Sequence, residues 1–279
     1  MPQHRDVAGT EPDAAPPEIN TGVAHPARVY DYWLGGKDNF PADRDLAEKM
    51  IQAIPNMRAM AHANRAFMGR AVRHLAREAG VRQFLDIGTG IPTSPNLHEV
   101  AQAVAPDTRV VYVDNDPIVL AHARALMRSA DGGETRFILA DLHEPAAILA
   151  DPTLRATLDL TQPVALMMVA VLMYFRDTED PDPYGMVATL LDPMPSGSYL
   201  AITHPTADFN PRETAVAVAA AEQSGITLVP RDRAEVEAFF TGLDLVDPGV
   251  VPVLAWRPEG EPPADPQSAY YWAGIGRKP

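Results

Sequence analysis

Apolar positions along the chain follow two different rhythms. Residues 43–54 and 56–79 are helical in pattern; in the second stretch Met57, Met60, Ala61, Phe67, Met68, Ala71, Val72, Leu75 and Ala76 recur at spacings near three and four. Two helices are therefore predicted ahead of the first strand, with the methionines filling gaps in a core. From residue 82 the rhythm changes to short apolar runs at 82–87, 109–113, 135–140, 163–171 and 198–204. These alternate with helical stretches near 96–105, 117–129, 143–150, 183–192 and 212–224. Continuous apolar strands separated by helices predict a mostly parallel α/β sheet covered on both faces. A helix over 233–241 and closing strands at 243–246 and 270–275 complete the pattern. The Pro-, Glu- and Gly-rich stretch 257–267 forms an exposed loop between those strands.

The start of the chain reads differently. Residues 1–25 carry Pro2, Pro12, Pro16 and Pro17 among small and polar residues, too little apolar surface to offset ordering, and predict a disordered tail. Residues 26–41 pack Tyr30, Tyr32 and Trp33 ahead of a Gly35-Gly36 break and a Lys37-Asp38-Asn39 cluster. Such aromatics either pin an arm to the core or wall a ligand site, while the glycine pair suits a lid that closes over a ligand. The organisation expected is a tail over 1–25, an arm with two helices over 26–80 acting as a cap, and a main domain over 81–279.

Composition narrows the function. A chain of 279 residues that is 46% hydrophobic supports one large core. The formal charge of −14 weighs against nucleic acid or an anionic membrane as partner, since phosphate binding needs concentrated positive charge. The absence of cysteine excludes disulfides, thiolate nucleophiles and zinc–thiolate sites. The scattered histidines suggest no metal. No basic N-terminal segment precedes an apolar stretch, and no run approaches the roughly 18 apolar residues of a membrane span, so a soluble, cytoplasmic protein is expected.

The candidate chemistry lies at strand ends. Asp86-Ile87-Gly88-Thr89-Gly90 puts two glycines just beyond an apolar strand, where a ligand can approach the backbone. The dinucleotide fingerprint is incomplete, because Thr93 stands where its third glycine belongs and Pro92 and Pro95 interrupt the turn; a nicotinamide-dependent oxidoreductase is thereby disfavoured. The next strand ends in Asp114-Asn115-Asp116-Pro117. Asp114 is the candidate for accepting ribose hydroxyls, and Asp116 suits a helix cap. The third strand ends in Asp141-Leu142, a carboxylate for an exocyclic amine and an apolar wall. His204, after the fifth strand, also reaches this edge and is the one catalytic candidate, although a lone histidine is more often structural. His62, Asn64 and Arg65 on the second helix either face the same cleft or form a solvated surface.

The order Asp-x-Gly-x-Gly, strand-end Asp, strand-end Asp resembles the class I S-adenosylmethionine-dependent methyltransferases. More narrowly, residues 28–40, 84–92, 113–117 and 274–279 resemble an actinobacterial family of S-adenosyl methyltransferases, formerly a domain of unknown function, over about residues 22–279. The resemblance implies a Rossmann-like, seven-stranded sheet with an antiparallel last strand, and S-adenosylmethionine as cofactor, with S-adenosylhomocysteine as product. It implies cofactor contacts at Asp86, Gly88, Gly90, Asp114, Asn115, Asp141, Leu142 and Ala170, joined from the arm by Tyr30, Lys37 and Asn39. Relatives commonly carry histidine near position 173, where this chain has Met173. The function expected is methyl transfer to a small molecule; a non-catalytic sensor of the cofactor or its product is the alternative.

Overall fold

The computed structural model describes residues 20–126, 129–261 and 263–279. Helices α1 (Pro26–Trp33), α2 (Pro41–Ala53) and α3 (Met57–Arg77) come first. Strands β1 (Gln83–Ile87), β2 (Arg109–Asp114), β3 (Glu134–Leu139), β4 (Ala165–Val169) and β5 (Tyr199–Pro205) then alternate with α4 (Leu97–Val104), α5 (Pro117–Leu126), α6 (Pro145–Ala150), α7 (Pro152–Thr157) and α8 (Pro183–Leu191). After β5 come α9 (Pro211–Gln223), α10 (Arg233–Ala238), two-residue strands β6 (Asp244–Leu245) and β7 (Val251–Pro252), and β8 (Tyr271–Arg277).

Helix starts are written in prolines. Among the described residues α1, α2 and α5 to α9 all begin on proline, whose fixed φ suits the first helical turn and whose missing N–H is not needed there. Asp151, Asp182 and Asn210 accept backbone N–H bonds at the starts of α7, α8 and α9, and Asp116 caps α5 through the Ile118 N–H at 2.9 Å. The helix expected near 143–150 is α6, and a further short helix not expected from the sequence, α7, follows it directly, with Asp151 ending α6 and capping α7.

The strands form one sheet in the order β3-β2-β1-β4-β5-β8-β6, with β7 also paired to β8. Strands β1 to β5 are parallel, and β8 runs antiparallel to β5 from Tyr199↔Arg277 to Pro205↔Tyr271. The expected architecture is present, with β7 as an added short strand. Strand order reverses between β1 and β4, the place where open α/β sheets bind ligands beyond their carboxyl ends.

Neighbouring residues of one strand feed opposite cores. Phe84, Val110 and Tyr112 join α1 to α4, α9 and Trp256 on one face. Leu85, Val111 and Val113 join α6, α7, α8 and α10 on the other. Helices α1 to α3 thus share a core with the sheet. Trp33, which is buried, donates from its indole to the Ala47 carbonyl at 3.3 Å, and Arg28 is buried against Asp43 at 3.2 Å. Residues 1–19 of the expected tail lie outside the described residues. Residues 20–25 are held in place, because the Arg28 guanidinium donates to the carbonyls of Asn20 and Val23.

Among the described residues, no helix is long and apolar enough to cross a membrane, and no cluster of three or more histidine and carboxylate side chains could hold a metal.

Candidate active site

A cavity of about 420 Å³ runs along the carboxyl ends of β3, β2, β1 and β4. Asp86, Gly88, Gly90, Asp114, Asn115, Asp141, Leu142, Ala170 and Tyr30 all line it, as do Asn64 and Arg65 from α3. His62 is exposed and does not. The mouth opens beside Asn115, Asp141, His143 and Gly225, which are exposed.

The turn after β1 is shaped before any ligand arrives. Gly88 has φ +72°, and a Cβ there would lie 2.4 Å from Cγ2 of Val171, so no side chain fits. The Gly90 N–H donates to Oδ2 of Asp114 at 2.8 Å, while the Asp116 N–H donates to Oδ1 at 2.9 Å. Asp114 therefore ties the β1 turn to the β2 end and retains lone pairs toward the cavity. Across the turn, Ala170 has φ +58°, a left-handed conformation rare for a residue with a Cβ; its N–H is held by the Thr203 carbonyl at 3.2 Å.

Asp86 sits at the junction of these pieces. Desolvation raises its carboxyl to about 7, the Asp114 charge adding to this and the Arg65 guanidinium and Thr89 hydroxyl opposing it. Arg65 is fixed through one nitrogen, which donates to the carbonyls of Thr93 and Pro95. Arg65 itself lines the cavity. At the β3 end Asp141 accepts from both the backbone and Nδ1 of His143, the latter at 2.7 Å. Nε2 of His143 lies 3.3 Å from the Glu179 carboxylate, and its ring 4.8 Å from that of Phe175. Desolvation works against the imidazolium, but the two carboxylates outweigh it and raise the His143 pKa. Neither His143 nor Phe175 is conspicuous in the sequence; the only signal is His143 standing two residues past the strand-end aspartate.

Three expectations fail on geometry. His204 is fully buried and does not line the cavity. Its Nε2 accepts from Arg231 at 2.8 Å, which leaves the proton on Nδ1 to bond the Pro205 carbonyl at 2.9 Å. Burial and the Arg231 charge push its pKa down to about 3, so it stays neutral and cannot act as the catalytic base. Lys37 is exposed, and neither it nor Asn39 lines the cavity. The Asn39 amide instead donates to the Asp31 carboxylate at 2.8 Å, beside the Asp38 N–H at 3.0 Å. A Cβ on Gly36 would sit 1.9 Å from that carboxylate, so Gly36 serves close packing around Asp31, while Gly35 has open space around it and supplies the turn's φ of +82°. Of the three aromatics, only Tyr30 reaches the cavity. Its hydroxyl donates to the Ala61 carbonyl at 3.0 Å and accepts from the Asn64 amide at 2.9 Å, and Asn64 in turn accepts from Thr203 at 2.6 Å. The segment covering the cavity is Ala24–Ala27, ahead of the expected lid.

Comparison with known proteins identifies the family and the fold. Residues 12–279 match the family described as S-adenosyl methyltransferase. A DUF574-family protein of Streptomyces avermitilis is 48% identical over 94% of this chain and 100% of its own, with a TM-score of 0.91. A candidate methyltransferase of Thermobifida fusca is 40% identical over 95% of this chain and 98% of its own, with a TM-score of 0.84. No curated protein sequence matches the chain.

Proposed function

The chain belongs to the S-adenosyl methyltransferase family, and from that premise we propose that it transfers a methyl group from S-adenosylmethionine to a small molecule bound in the same cavity. The observation that carries this reading is one cavity that gathers three strand-end carboxylates, a glycine turn and Arg65. When bound, the cofactor supplies a methyl group on a positively charged sulfur.

The donor set suits such a molecule part by part. Asp114, with lone pairs left after holding Gly90 and Asp116, accepts ribose hydroxyls. Asp141 and Leu142 take the amine and face of adenine, with Asn115 beside them; His143, bonded to one oxygen of Asp141, fixes that carboxylate's orientation. The free donors of Arg65 meet a carboxylate and Asp86 an ammonium, which assigns the amino-acid end to the junction of α3 and β1. Pinned side chains lower the ordering cost of binding, and a closed, positioned pair of reactants supplies much of a transfer rate.

Calorimetry with S-adenosylmethionine, S-adenosylhomocysteine and NAD tests the cofactor. Both sulfur nucleosides are expected to bind and NAD to fail; binding of neither nucleoside overturns the reading. Transfer of a labelled methyl group into a small-molecule extract tests the acceptor class, and label appearing only in macromolecules would reject it.

A further inference from the structure

The charged groups of the cavity are unevenly spread. Asp86, Asp114 and Asp141 lie at the ends of β1 to β3, and Arg65 faces Asp86. The remaining wall includes Ala24, Ala27, Tyr30, Met68, Tyr174 and Ile226, none of them charged; the one imidazole in their midst, His25, already has its Nδ1 3.1 Å from the Asp116 carboxylate. This wall contains two phenols in different states. The Tyr30 hydroxyl already commits its proton to the Ala61 carbonyl and accepts from Asn64. The Tyr174 hydroxyl has no hydrogen-bond partner among the described residues, although its side chain lines the cavity. Burial pushes that phenol well above its ordinary range, so it remains a neutral donor. The turn that presents Tyr174 is fixed: Arg231 donates to the carbonyls of Leu172 and Phe175, and the Val229 N–H to that of Met173 at 2.8 Å.

We infer that this wall receives the methyl acceptor, and that the acceptor is an uncharged, flat, hydroxyl-bearing molecule of the phenol or enol class whose oxygen is bonded by Tyr174. The inference rests on the cofactor reading above, which assigns the charged walls to the nucleoside and amino-acid ends. A buried ammonium or carboxylate on the acceptor would find no lysine, arginine, aspartate or glutamate on this wall, only a His25 ring already against Asp116, and would lose its hydration uncompensated. Aromatic and thioether surfaces at Tyr30, Tyr174 and Met68 favour a conjugated ring. A single unpaired phenol supplies one directional bond to an oxygen. In the transfer, the acceptor oxygen bonds the methyl carbon as the carbon–sulfur bond breaks with its electron pair left on sulfur. The hydroxyl proton passes to water at the open mouth.

The test is saturation-transfer NMR titration of protein loaded with S-adenosylhomocysteine, using 2-naphthol, naphthalene, 2-naphthoate and 2-naphthylmethylammonium as probes. Naphthol is expected to bind most tightly, with Tyr174→Phe weakening it about five- to tenfold at unchanged S-adenosylhomocysteine affinity. Ile226→Trp, which fills the same wall, should abolish naphthol binding. Either charged probe binding as well as naphthol, Tyr174→Phe leaving naphthol unaffected, or naphthol binding surviving Ile226→Trp overturns the assignment. Failure of S-adenosylhomocysteine itself to bind is a separate result: it overturns the cofactor reading, and this inference with it.

Discussion

At the scale of single residues, Asp86 makes the sharpest prediction. Its carboxyl is raised to about 7, chiefly by desolvation, so in the ligand-free protein it is mostly protonated below that pH. An ammonium on the ligand favours the ionised form. Binding therefore releases a proton in the acid range, and affinity for S-adenosylhomocysteine rises from pH 6 to about 7.5 before levelling. Calorimetry in buffers of different ionisation enthalpy measures that release directly. Asp86→Asn should remove the pH dependence and weaken binding about 10- to 100-fold, as expected for losing a charged hydrogen bond. An unchanged pH profile in the variant would place the amino-acid end elsewhere. The same scale explains what the sequence disclosed. Asp86, Asp114 and Asp141 were legible because each closes an apolar strand, a purely local signal. Lys37 and Asn39 misled because a Gly-Gly-Lys-Asp-Asn run looks like a ligand loop, whereas the Asp31 carboxylate that organises it stands one helical turn earlier and gives no sign of its role.

At the scale of elements, the β4–α8 connection depends on a residue far along the chain. Arg231 is 1% exposed, lies over the rings of Tyr184 and Phe239, and holds the carbonyls of Leu172 and Phe175 together with the Asp177 carboxylate. Arg231→Met keeps the apolar stem and leaves the Phe175 carbonyl without its donor, at about 1–3 kcal/mol, while the Leu172 carbonyl loses the charged donor and keeps only the Phe175 N–H at 3.3 Å. Urea denaturation should show a loss of at least about 2 kcal/mol, and a loss below about 0.5 would mean the carbonyls find other partners. This network also accounts for His204: position after a strand is readable from sequence, but a pairing across 27 residues that neutralises the ring is not. Helix α7 escaped for the opposite reason, being a six-residue element too short for its periodicity to stand out.

At the scale of the whole molecule, the N-terminal helices and the sheet share one hydrophobic core, which predicts that they unfold together. The expected cap over 26–80 supplies Phe67, Ala71 and Leu75 to the same core as Phe84 and Val110. Trp33 reports on α1, Trp256 on the face beneath α3, where it meets Phe67 at 5.2 Å, and Trp272 on β8. Single-tryptophan variants should therefore share one unfolding midpoint, and saturating S-adenosylhomocysteine should raise all three alike. A Trp33 signal melting at lower denaturant would show that α1 separates from the sheet. Sequence periodicity revealed the helices but not this shared packing, because an amphipathic stripe does not say which surface covers it.

The turn after β1, clasped at Gly90 by Asp114, bears on how quickly a ligand is captured. With the backbone N–H groups already tied and Gly88 seated against Val171, no loop has to search for its bound shape. Encounter at the mouth near Asn115 and His143 then limits association, so the on-rate should fall in proportion to solvent viscosity and stay a single phase at all ligand concentrations.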